Sequence, residues 1–182
     1  MRLDFISRSV DDLKRDFPDI DPFEIVKAMG ILLLFQGMGR AKSACKGFFM
    51  TQDGQPSITI NSDLPKMIQK IICAHELGHA VLHSQNPGMV SFHDFALFDT
   101  ASMTEYEANL FAAELLMKDE DVLELLNDDI SFFSVASTLR VPPELLDFKF
   151  RVLKRKGYQF IDPPLQAGSK FLRDIEVDCH DE

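Results

Sequence analysis

The chain has 182 residues, 46% of them hydrophobic, which is enough to form the core of one folded unit without disulfides. Its formal net charge of −10 disfavours nucleic acid or an anionic membrane as the main partner of its surface. No apolar run is long enough to span a bilayer, no secretion signal is recognisable, and three widely spaced cysteines are typical of a reducing compartment, so we expect a cytoplasmic protein.

The first third of the chain predicts a helix followed by a small sheet. Asp21 precedes a proline and a glutamate, which is the pattern of a capped helix start. Residues 31–35 form an apolar run of strand length. The Asp53-Gly54 pair is a hairpin signal between two further strand candidates, residues 47–51 and 57–61. We expect a small antiparallel sheet with a strand edge near the next helix, where an extended peptide can add by backbone hydrogen bonds.

The next helix contains the motif His75-Glu76-Leu77-Gly78-His79, which combines metal binding with proton transfer. Residues i and i+4 lie one turn apart on the same face, so His75 and His79 can bind one Zn²⁺ ion. Glu76 lies about 100° around the helix from His75 and can take a proton from a water molecule beside the ion. The alternative is a pair of histidines that only pack in the core.

A catalytic zinc site needs a third protein ligand. A third histidine six residues after His79 is absent, because that position is Gln85. His83 lies eight residues after His75, about 12 Å along the helix axis, which is too far to share the ion. The remaining option is a carboxylate on the following helix, predicted over residues 103–118, where Glu105 and Glu107 are the candidates.

Helix rotation favours Glu105 over Glu107 as the ligand. Glu105 shares a helix face with Asn109, whereas Glu107 lies about 200° away from Glu105. We expect Asn109 to orient a ligand histidine through its other ring nitrogen. The alternative is that both glutamates belong to capping boxes, because Ser102 and Thr104 precede them by three residues.

Two further regions leave alternatives open. Residues 85–102 form a long connection that is either a lid or substrate wall, or only packing.

Residues 131–156 predict two helices around a tight break, with six basic residues from 140 to 156. This arrangement is similar to a helix-turn-helix pair, but packed helices with a solvated basic face are more common, so direct DNA binding is disfavoured. We divide the chain into a core (1–129) and a helical extension (130–182) that form one compact unit.

Two separated motifs together resemble a known family, the ImmA/IrrE zinc metallopeptidases. They are Ala74-His75-Glu76-Leu77-Gly78-His79 with Leu82-His83, and Glu105-Tyr106-Glu107-Ala108-Asn109-Leu110-Phe111-Ala112-Ala113-Glu114-Leu115-Leu116-Met117. The resemblance covers roughly residues 58–155, although Lys118 stands where a proline often follows the second motif. It implies a zincin-like α+β fold, mainly helical, with a small antiparallel sheet packed beside the motif helix. It also implies zinc bound by His75, His79 and Glu105, with Glu76 as the base.

The family resemblance also implies a function. Members of the family include peptidases that cleave helix-turn-helix repressors of phages and mobile elements. We therefore expect a zinc endopeptidase that hydrolyses one specific cytoplasmic protein. Tyr106, His83 and His93 are candidates for the rim of the site or for oxyanion stabilisation, and the sequence does not choose among them. The alternative is a regulatory zinc-binding or DNA-binding protein without peptidase activity.

Overall fold

A computed structural model describes residues 2–18, 21–83, 99–127, 130–159 and 161–174. In chain order the elements are α1 (Arg2–Asp16), α2 (Pro22–Ala28), β1 (Leu32–Gln36), β2 (Gly47–Gln52), β3 (Gln55–Asn61), α3 (Lys66–His83), α4 (Asp99–Leu116), α5 (Asp119–Asn127), α6 (Phe132–Leu139), α7 (Pro143–Arg155) and α8 (Phe171–Asp174). The predicted α+β class, mainly helical with one small sheet, is confirmed. Among the described residues, no helix has the length and apolar character that a membrane span requires.

The sheet contains three strands in the order β1-β3-β2. The β2–β3 hairpin is antiparallel, as predicted, and Asp53 and Gly54 at its turn both have positive φ. Strand β1, however, pairs with β3 in parallel, so the sheet is mixed rather than wholly antiparallel. The reason is the loop 37–46, which carries the chain from β1 to the far edge of the sheet and leaves the central position to β3.

The buried side chain of Asn61 fixes the loop that leads into β2. Its Oδ1 accepts hydrogen bonds from the backbone N–H groups of Met38 (3.1 Å) and Asp63 (3.0 Å). Its Nδ2 donates to the backbone carbonyls of Gly39 (2.7 Å) and Cys45 (2.9 Å). This amide therefore uses both donors and both acceptor positions inside the protein, which holds the loop against the end of β3.

Helices α3 and α4 pack together beside the sheet. Helix α4 begins at Asp99, four residues before the predicted start at 103. Ser102 and Thr104 consequently lie inside the helix, whereas a capping box requires its serine or threonine at the non-helical N-cap position. The capping-box alternative for Glu105 and Glu107 is therefore wrong.

Helix α7 is packed into the fold through most of its length, and Lys149 in its centre is fully buried. Five of the six basic side chains from 140 to 156 contact carboxylates: Lys149 contacts Glu114 and Asp119 (2.6 and 2.5 Å), Arg151 contacts Asp147 (2.5 Å), Lys154 contacts Asp162, Arg155 contacts Asp4 (3.4 Å), and Lys156 contacts Glu114 and Asp119. Most of the positive charge in this run is therefore matched by acidic side chains of the same chain.

Candidate metal centre

The side chains of His75, His79 and Glu105 converge between α3 and α4. The Nε2 atoms of the two histidines are 3.1 Å apart. The two carboxylate oxygens of Glu105 lie 3.2 Å from these nitrogens, Oε2 from His75 and Oε1 from His79. The structure thus brings together the three residues that the sequence predicted as ligands, and among the described residues they form one compact group of potential metal ligands.

The donor set of this group fits a zinc ion. Ligand atoms about 2.0–2.1 Å from a tetrahedral zinc are about 3.3 Å apart, close to the separations between these nitrogen and oxygen atoms. The histidine side chains are 1% exposed and that of Glu105 is 17% exposed, so the ion would meet solvent on the Glu105 side. Three protein ligands, rather than four, are typical of catalytic zinc sites.

The carboxyl group of Glu105 is in the form that binds metals. Burial raises its pKa, but hydrogen bonds and charge from His75 and His79 outweigh burial and hold the pKa below its ordinary value. The carboxylate is therefore ionised at neutral pH, as metal coordination requires.

A glycine inside the motif allows the two ligand-bearing helices to approach each other. A Cβ atom on Gly78 would lie 3.1 Å from Cδ1 of Phe111, a fully buried residue of α4. The neighbouring α4 residues Ala108 and Ala112 are also fully buried and small. Close packing of α3 on α4 therefore brings the histidines within reach of Glu105.

The predicted base, Glu76, is fully buried beside the first residue of β2. A Cβ atom on Gly47 would lie 3.8 Å from Cγ of Glu76, 2.5 Å from Cγ2 of Ile72 and 3.0 Å from the carbonyl oxygen of Thr59. Glycine at position 47 thus lets β2 approach the motif helix closely. Because β2 is an edge strand of the sheet in the described residues, the strand edge predicted from the sequence begins beside Glu76.

We expect Gly47→Ala to destabilise the protein and to lower the rate of the peptide-bond hydrolysis that the sequence predicts. The added methyl group would overlap the side chain of Ile72 and press on the backbone of Thr59, so β2 must move away from Glu76. Overpacking of this kind costs about 1–3 kcal/mol. Thermal unfolding and initial rates measure the two effects. Gly54→Ala, at the hairpin turn, is the control that loses stability through its positive φ without approaching α3. An unchanged melting temperature for Gly47→Ala would contradict the prediction.

Glu107 is not part of the converging group and contacts another histidine of α3. Helix rotation placed it on the face of α4 opposite Glu105, whereas both glutamates contact histidines of α3. The side chain of Glu107 is buried, and its Oε2 lies 3.7 Å from Nε2 of His83. The ring of His83 is in turn 5.6 Å from that of His79. The sequence carried no signal for this His83–Glu107 contact, because the two residues lie on different helices.

The remaining candidate residues lie as follows. Asn109 is fully buried, and its Nδ2 donates to the carbonyl of Ser169 (2.7 Å), while its Oδ1 has no hydrogen-bond partner among the described residues. The role of Asn109 in orienting a ligand histidine stays a prediction.

The ring of Tyr106 packs on Phe148, with the guanidinium of Arg151 5.5 Å from the centre of the Tyr106 ring, so Tyr106 faces α7. His93 and residues 85–98 of the predicted lid lie outside the described residues.

Comparison with known proteins is consistent with this geometry. Residues 26–151 match the model of a peptidase family, M78, described as the IrrE N-terminal-like domain. The chain is 30% identical over 146 residues to "Uncharacterized immunity region protein 2" of Bacillus phage phi105, which covers 79% of this chain and 88% of that protein. It is 29% identical over 133 residues to "Metallopeptidase ImmA" of Bacillus subtilis (strain 168), which covers 70% and 73% respectively.

Proposed function

Because the chain belongs to the ImmA/IrrE family of metallopeptidases, we propose that it is a zinc-dependent endopeptidase. Its substrate in this proposal is one specific cytoplasmic protein, a helix-turn-helix repressor of a phage or mobile element. The observation that carries the proposal is the triangle formed by His75, His79 and Glu105, with the buried Glu76 adjacent to His75 in the same motif.

The residues of the site have different roles in the proposed hydrolysis of a peptide bond. His75, His79 and Glu105 would hold the zinc ion. When bound, the ion supplies a Lewis acid that polarises the scissile carbonyl group and lowers the pKa of water towards about 7. Glu76 accepts a proton from the attacking water as the water oxygen bonds to the carbonyl carbon. It then passes this proton to the amide nitrogen as the carbon–nitrogen bond breaks, which yields a carboxylic acid and an amine.

The edge of β2 supports a protein substrate. An extended segment can pair with an exposed strand edge through backbone hydrogen bonds, independently of its side chains. Because Gly47 at the start of β2 lies against Glu76, such pairing would present a peptide bond beside the base. The printed name of the phage relative, an immunity region protein, supports a phage or mobile-element regulator as the substrate.

The proposal predicts limited, metal-dependent cleavage of a cognate repressor. The purified protein, loaded with zinc, should cut the repressor encoded beside its gene at one or a few bonds, while casein stays intact under the same conditions. A chelator should stop the reaction and added zinc should restore it. Chelator-resistant cleavage, or rapid casein degradation with no preference for the repressor, would contradict the proposal. A salt-dependent shift of a labelled DNA duplex without any cleavage would favour the DNA-binding alternative.

A further inference from the structure

A cavity apart from the residues of the metal centre has the composition of a ligand site. Its volume is about 310 Å³, at the small end of the range for small-molecule pockets. It is not lined by His75, His79, Glu105 or Glu76. Its wall comes from α1, α2, α3, the end of α4 and the turn that follows, and the residues used below are Lys14, Phe17, Ile25, Lys70, Leu116 and Lys118.

Three lysines from three segments of the chain surround this cavity, although the net charge of the protein is −10. The ammonium group of Lys70 is 2.9 Å from Oδ2 of Asp21. The ammonium group of Lys14 donates to the backbone carbonyl of Glu114 (2.8 Å), and in the described part of the chain no carboxylate pairs with it. Lys14 is therefore a partly buried cation whose hydrogen-bond partner is neutral.

The nearby ion-pair network holds one more cation than anion when Lys14 is counted with it. Lys149 and Lys156 contact Glu114 and Asp119, so two cations already balance two anions there. Burial lowers the pKa of Lys14 and repulsion from Lys149 adds to this effect, while attraction from Glu114 and Asp119 offsets only part of it. An anion placed in the cavity would restore a favourable environment for the charged form of Lys14.

The cavity also offers apolar surface to the rest of a ligand. Phe17, Ile25 and Leu116 contribute apolar side chains to its wall, and Ile25 is almost fully buried. We propose that the cavity binds a small amphipathic carboxylate, with the charged group at Lys14 and the apolar body against these three side chains. The volume suits a molecule of about ten non-hydrogen atoms, the size of octanoate. Such a ligand would touch both α3 and α4, the two helices that carry the metal-binding residues.

Calorimetric titration with three probes tests the two halves of this recognition in the intact protein. Octanoate carries both the charge and the apolar chain, 1-octanol carries the chain alone, and acetate carries the charge alone. We expect octanoate to bind once per chain, with 1-octanol and acetate at least tenfold weaker. No octanoate binding up to about 10 mM, or equal binding of 1-octanol, would overturn the proposal.

A matched pair of lysine variants locates the site. Lys14→Met keeps most of the aliphatic chain but removes the charge, and it should weaken octanoate binding at least tenfold without lowering the melting temperature of the free protein. Lys27→Met, which removes an exposed lysine of α2 that does not line the cavity, should bind octanoate like the parent protein. Lys14→Gln, which also removes the charge but keeps a hydrogen-bond donor on the side chain, provides the same test if Lys14→Met does not fold. Undiminished octanoate binding by a folded cavity variant would refute the site, and none of these measurements depends on peptidase activity.

Discussion

Glu76→Gln should abolish peptide-bond hydrolysis while leaving the metal content unchanged. The amide of glutamine has nearly the shape of the carboxylate, so the fully buried position can accept it with little repacking. An amide cannot take up the proton of the attacking water, however, and loss of a general base typically costs 10²–10⁴-fold in rate. We expect a decrease of about 10³-fold or more. Because Glu76 is not among the three converging ligands, zinc should remain bound.

Initial rates on the cleaved repressor, together with elemental analysis of the same samples, measure both parts of this prediction. Glu24→Gln is a matched control, since it makes the same chemical change at an exposed position on α2. It should leave both the rate and the zinc content unaltered. Parental activity in a zinc-loaded Glu76→Gln sample would show that another group acts as the base.

The second large effect separates two carboxylates of α4 that lie two residues apart. Glu105→Ala should lower zinc affinity at least a hundredfold, because even residues that only support a metal ligand contribute 10–100-fold. Glu107→Ala should leave affinity within a few-fold of the parent, since its carboxylate contacts His83 rather than the converging nitrogens. Its expected cost is about 1–3 kcal/mol of stability, from the loss of a buried polar contact.

The two variants are controls for each other, because each shortens one glutamate of the same helix to alanine. Titration of each apoprotein with zinc against a chromophoric chelator gives the affinities, and thermal unfolding gives the stabilities. Weak zinc binding by Glu107→Ala together with normal binding by Glu105→Ala would reverse the assignment.

The parts of the site that could be predicted from the sequence depend on local geometry. The spacing of His75 and His79 is set by the helix repeat. The sequence favoured Glu105 over Glu107 by the rotation per residue of α4 together with the spacing of Glu105 and Asn109, and Glu105 is the glutamate that converges with the two histidines. The hairpin followed from Asp53-Gly54, whose positive φ values the turn requires. These features depend on covalent geometry and on neighbours in sequence, so no tertiary information was needed.

The remaining features depend on contacts between distant segments. The parallel pairing of β1 with β3 follows from the path of the loop 37–46, which strand propensity does not encode. The contact of Glu107 with His83 and the pairing of Lys149 with Glu114 each join two separate helices. The sequence indicated that the basic residues from 140 to 156 form a solvated helix face. In the structure, most of them instead form ion pairs with acidic side chains of the same chain.

Zinc-edge X-ray absorption on protein purified without chelator tests most directly the claim that His75, His79 and Glu105 hold a zinc ion. We predict about one zinc per chain, bound by nitrogen and oxygen atoms at about 2.0–2.1 Å, with the scattering signature of two imidazoles and no sulfur. Absence of zinc before and after titration would contradict the claim. So would a sulfur ligand at about 2.3 Å, since none of the three proposed ligands contains sulfur.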